Sequence, residues 1–94
     1  MKVMEVRTIE DCFDQAMFRE LVLDRPVSRD FIFHLGKYGD LEYFSEFPNP
    51  FFKVSSDARF TVKGIEGNNT LRLLLNGDIE SNLRYFIQIA ELFN

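Results

Sequence analysis

The chain is poor in the residues that usually carry catalysis or hold metals. It has one cysteine, Cys12, and one histidine, His34. A lone thiol cannot form an internal disulfide and fits a reducing compartment, so cytoplasmic residence is expected. A zinc site takes three or four ligands from Cys, His and carboxylates, and one of each of the first two falls short. No acidic loop is dense enough to surround calcium or magnesium. Walker and Rossmann glycine patterns are both absent, and no cofactor is expected. Apolar runs last only a few residues, far below the roughly 20 that span a bilayer. Met1 to Arg7 carries a charge every two or three positions, which is no signal-peptide core. No repeat, low-complexity tract or flexible linker divides the sequence. It reads as a single α+β domain over residues 1–94, with no membrane association.

What is present suffices for a core. Hydrophobic residues make up 46% of the chain and include eleven Phe, enough to fold without disulfide or metal. The net charge of −4 disfavours a general nucleic-acid binder. The charge is unevenly placed, however. Residues 1–50 hold ten acids and six bases, whereas residues 51–94 hold five of each. Between Phe51 and Gly77, Lys53, Arg59, Lys63 and Arg72 outnumber Asp57 and Glu66.

Met1 to Arg7 alternates enough to predict a short strand. Thr8 and Asp11 resemble a helix start, and Ile9, Cys12, Phe13, Ala16, Met17 and Leu21 recur at helical steps. A helix is therefore expected up to Pro26, although Phe18 to Leu23 could equally be extended. Ser28 caps a short helix carrying Phe31, Ile32 and Leu35, with Gly36 and Gly39 near its end. Leu41 to Phe47 reads as a strand closed by Pro48-Asn49-Pro50.

Period-two alternation is clearest next. Phe52, Val54, Ala58, Phe60 and Val62 share one parity; Lys53, Ser55, Asp57, Arg59, Thr61 and Lys63 share the other. Phe52 to Ile65 is either one long strand or a hairpin turned at Ser55-Ser56-Asp57. Thr70 to Leu75 returns against it. Val62 then meets Leu73, Phe60 meets Leu75, and Lys63 stands beside Arg72. Asp78 caps a final helix whose stripe is Ile79, Leu83, Phe86, Ile87, Ala90 and Phe93, widened by Tyr85, Ile89 and Leu92. The expected architecture is an antiparallel or mixed sheet of about four strands. Two main helices and one short helix pack mainly on one face, as a two-layer sandwich.

Several small constellations point to no chemistry. A Cys12–His34 nucleophile pair is undercut by the placement of Cys12 on an apolar stripe, where a thiol is inert. Ser55-Ser56-Asp57 suits a turn better than a catalytic serine, because no base or oxyanion motif accompanies it. Gly64-Ile65-Glu66-Gly67 is a GxxG, but it lies between strands and its carboxylate repels phosphate. Arg59-Phe60-Thr61-Val62-Lys63 displays no ring among its bases, so RNA stacking is not expected.

Two surfaces remain. Lys53, Arg59, Lys63 and Arg72 share the polar side of the sheet and form a candidate anion site, unless they simply fan into water. Phe44, Phe47, Phe51 and Phe52 flank the double-proline break and form a candidate interaction surface. The sequence thus suggests a small binding or interaction module, acting alone or as an accessory subunit. Its partner would be an anionic ligand, another protein or a second copy in a homodimer, rather than nucleic acid. The alternative is a small enzyme for an anionic substrate, with His34 or a carboxylate as acid–base; a cleft joining His34 to Arg59 or Arg72 would favour it.

Overall fold

A computed structural model describes residues 1–11, 16–56 and 59–93. Six strands and two helices follow in the order β1 (Val3–Asp11), β2 (Ala16–Leu23), α1 (Arg29–Gly36), β3 (Asp40–Phe44), β4 (Phe51–Ser56), β5 (Phe60–Ile65), β6 (Thr70–Leu75) and α2 (Ile79–Glu91). All six strands join one antiparallel sheet ordered β1-β2-β6-β5-β4-β3. The expectation of about four strands and three helices is therefore corrected to six and two.

The difference lies at the N-terminus, where strands Val3–Asp11 and Ala16–Leu23 stand in place of the helix expected from Thr8 up to Pro26, and Phe18 to Leu23 takes its extended alternative. Asp11 faces Ala16 and Val6 faces Leu21 across β1 and β2. This stretch carries both periods: helical spacing in some apolar residues, and β-favouring Val3, Val6, Thr8, Ile9, Phe18 and Val22. A nonlocal partner decides between them. Leu21 pairs with Leu71 and Glu20 with Arg72, so β2 satisfies the backbone edge that β6 would otherwise leave open. Leu21 and Leu23 become buried in the process.

The remaining elements follow their local signals. The Ser28 hydroxyl accepts from the Phe31 amide, and the Asp78 carboxylate accepts from Ser81 N–H, each capping its helix. β4 and β5 form a hairpin rather than one long strand, and β3 ends at Phe44. Phe60 faces Leu75, Val62 faces Leu73 and Lys63 faces Arg72, the register set by alternation. The connection before α1 is stitched to the β5–β6 loop: Val27 N–H donates to Asn68 O and Gly67 N–H donates to Val27 O. Gly67, at φ 95°, supplies the left-handed residue this loop needs.

One parity of the sheet is dry. Leu21, Leu23, Phe52, Val54, Phe60, Val62, Leu71 and Leu73 form a single core with Phe31, Ile32 and Leu35 of α1 and Phe86, Ile89 and Ala90 of α2. Both helices therefore cover the same face. Phe60 meets Phe86 edge-on with ring centres 5.1 Å apart, and Phe31 meets Phe93 at 5.3 Å. Phe86, Ile89 and Ala90 are buried as the spacing expects, and α2 is rotated only at its first turn, where Asn82 takes the inward place expected of Ile79. Ile79 is 44% exposed. Asn82 fixes the rotation by donating its side-chain amide to the carbonyl of Asn76. No helix among the described residues is long and apolar enough to cross a membrane.

Candidate functional site

The helices leave the other face of the sheet uncovered, and strand register decides what it displays. Glu42 faces Lys53, Lys53 faces Lys63, Lys63 faces Arg72, Arg72 faces Glu20, and Glu20 faces Arg7. One transverse row thus crosses all six strands, with three bases in its middle and an acid on either side. Like charges directly opposite destabilise a sheet, and Lys63 meets one on both sides. Arg7 bonds to Glu5 at 3.0 Å and lies 3.6 Å from Glu20, so the outer strands compensate their own charge. Among the described residues, Lys53, Lys63 and Arg72 join no ion pair.

A second row runs beside the first, two residues along each strand. Phe44 faces Phe51, and Phe51 faces Ile65. The Phe44 and Phe51 rings stack at 4.5 Å, and Phe47 lies against Phe51 at 5.5 Å. These residues stay partly in water: Phe44 is 39%, Phe47 53%, Phe51 40% and Ile65 38% exposed. Bases and rings share an open hollow of about 690 Å³, which Glu20, Glu42, Asn68 and Thr70 help to line. That volume suits a small molecule.

Two of the residues expected here lie elsewhere. Arg59 precedes β5 in a turn and folds back over Tyr85 of α2, with its guanidinium carbon 4.2 Å from the ring centre. It lines a separate polar hollow with Asp78, Glu80, Ser81, Arg84 and Gln88. Parity placed it with Lys63, but parity holds only inside the ladder. Phe52 is fully buried and so is no part of an interaction surface. It faces Gly64 across β4 and β5, and a Cβ on Gly64 would meet its ring at 2.8 Å. The glycine leaves the space that the Phe52 ring fills on the covered face.

His34 belongs to the helix layer. Its Nε2 is 2.8 Å from the carbonyl oxygen of Ile89, and its ring packs among Phe31, Tyr38 and Phe93. It lines neither hollow. The sheet separates it from Arg72, and the hollow that Arg59 lines does not include it. Cys12 and Asp57 lie outside the described residues. No group of three or more His, Cys, Asp or Glu side chains converges on a metal-sized site among the described residues.

On the covered face, where its ring meets Phe33 of α1 at 5.8 Å, Tyr43 donates its hydroxyl hydrogen to the Glu66 carboxylate. This bond to the carboxylate, with some desolvation and the Glu66 charge, holds the Tyr43 pKa above its ordinary value. It ties β3 to the loop after β5, and the backbone bond from Glu66 N–H to Pro50 O ties the same loop to the residue before β4.

Glu20, Glu42 and Ile65 complete the site and were not singled out from sequence. Parity on the strand predicted at Leu41 to Phe47 could have found Glu42. Glu20 became visible only once β2 paired with β6. No protein-family model, curated protein or solved structure matches this chain. The site must therefore be read from its own chemistry.

Proposed function

We propose that the protein is a non-catalytic binding module that holds an anionic ligand on the uncovered face of its sheet. The observation that carries this reading is the adjacent register of Lys53, Lys63 and Arg72. Three cations side by side, none in an ion pair among the described residues, raise the free energy of the empty protein, and an anion seated over Lys63 relieves that repulsion. The enzyme alternative needs His34 or a carboxylate as acid–base: His34 is bonded on the other side of the sheet, which leaves that role to Glu20 and Glu42 in the hollow. Residence in the cytoplasm is part of the same reading and rests on the lone Cys12.

Titration of labelled protein with inorganic phosphate at low salt tests the proposal. Amide resonances of Lys53, Lys63 and Arg72 should shift, and added salt should weaken the effect. Resonances on β4 to β6 that stay in place at every phosphate concentration would remove it.

A second reading is self-association through Phe44, Phe47 and Phe51, favoured by three exposed rings stacked on one another. It uses the same side of the molecule. Light scattering over a concentration series reports it directly.

A further inference from the structure

The reading of this face as an anion site leaves Phe44, Phe51 and Ile65 without a role, although they line the same hollow. Resting on that reading, we propose that the ligand is a single-chain amphipathic anion, free in solution. Its head is one compact carboxylate or phosphate over Lys63, and its apolar chain lies along Phe51, Phe44 and Ile65.

Charge sets the size of the head. An extended polyanion laid across the strands would cover Lys53, Lys63 and Arg72, but would then meet Glu42 at one end and Glu20 at the other. Laid along the strands, its charges would run from Lys63 onto Ile65 and the Phe rings. A compact anion over the middle base avoids both acids. Equivalent positions on one face repeat every two residues, so the apolar row begins about 7 Å from the head. Three neighbouring strands carry that row for roughly 10 Å. Stacked rings at one end and cations at the other give the hollow a polar and an apolar pole, and only a ligand with both satisfies it.

The hollow also discriminates by shape. It is an open trough rather than a closed cavity, so a flexible chain can lie in it without a portal. Asn68 and Thr70 on the β5–β6 side add polar groups beside Ile65. Those groups favour a chain directed from Lys63 toward Phe51 and Phe44.

Calorimetry with four probes tests the assignment: inorganic phosphate, decyl phosphate below its micellar concentration, decanol, and vesicles of anionic phospholipid. Decyl phosphate should bind at least about tenfold more tightly than phosphate or decanol, because charge and apolar contact both contribute. Lys63→Gln and Phe51→Ala should each weaken it by about fivefold or more, with folding checked by circular dichroism. Ile65→Thr, which keeps a β-branched residue, is the second apolar variant and should act like Phe51→Ala.

Other results overturn the proposal in distinguishable ways. Equal binding of phosphate and decyl phosphate, unaffected by Phe51→Ala and Ile65→Thr, would sink the amphipathic ligand but keep the anion site. Absence of binding by every probe would sink both, as would decanol binding as tightly as decyl phosphate and indifferent to Lys63→Gln. Vesicles binding while monomeric decyl phosphate does not would assign the face to a membrane surface. A dimer that forms through Phe51 and is undisturbed by decyl phosphate would assign it to a second copy.

Discussion

Lys63 and Arg72 stand directly across from each other on β5 and β6, and neither has a carboxylate as an ion-pair partner among the described residues. Lys53 adds a third positive charge on the far side of Lys63. The pair is a cost that the fold carries where other sheet positions would hold opposite charges.

Removing the central charge should make the protein more stable. Lys63→Thr keeps a strand-favouring residue and should raise unfolding free energy by about 0.2–1 kcal/mol. The same change should weaken phosphate binding. Urea denaturation with and without phosphate reads both effects. A stability loss would mean that Lys63 contributes packing worth more than the repulsion.

The rotation of α2 at its first turn can be checked by two truncations. Phe86→Ala, at a fully buried ring touching Phe60, should cost about 3–5 kcal/mol. Ile79→Ala, at an exposed position one residue after the cap, should stay within about 0.5 kcal/mol. Comparable losses at the two sites would place the buried stripe where the spacing alone put it.

Gly64 should tolerate no side chain. A Cβ there would lie 2.7 Å from Leu71 Cδ2 and 2.8 Å from Phe52 Cε1, both buried. Gly64→Ala should cost about 1–3 kcal/mol through overpacking. Combining it with Phe52→Leu should cost less than the sum of the two single changes, since they share one space. Strict additivity in a denaturation series would show that the contact does not decide the site.

Tyr43 should ionise above its ordinary pH. Its hydrogen bond to Glu66 raises its pKa above the ordinary range of about 10. A raised folded value means that the contribution of the bond is complete below the unfolded pKa. It is lost as pH climbs through the folded pKa. Ultraviolet titration of the phenolates follows this, and Glu66→Ala should return Tyr43 to the common range. A Tyr43 transition left unmoved by Glu66→Ala would remove the bond.

What the sequence discloses depends on how far each residue must look for its partner. The caps at Ser28 and Asp78 act within three residues, and both helices begin where those side chains dictate. The β5–β6 register follows from two short alternating segments joined by one loop. The N-terminal pair of strands is different, because its choice against a helix rests on β6, far along the chain. Alternation likewise foretells that one of Phe51 and Phe52 faces inward. Phe52 shares the parity of Val54 and is the one that enters, and Gly64 across the strand leaves room for its ring. Arg59 escapes the pattern because it sits in a turn, where a ring on α2 offers a better contact.

The pairing of β2 with β6 also bears on how the molecule is made. Leu21 waits for Leu71, fifty positions later in synthesis (71 − 21). At the usual pace of translation that interval is roughly 3–10 s. During it the nascent N-terminal hairpin has one edge of β2 without a partner, and Leu21 and Leu23 have no core to enter. The sheet can close only after β6 has emerged, so folding is late, nonlocal and slow for a chain of this size. The nascent chain is thus open to holding chaperones, and to premature pairing with neighbouring chains, through the strand that later sits inside the sheet.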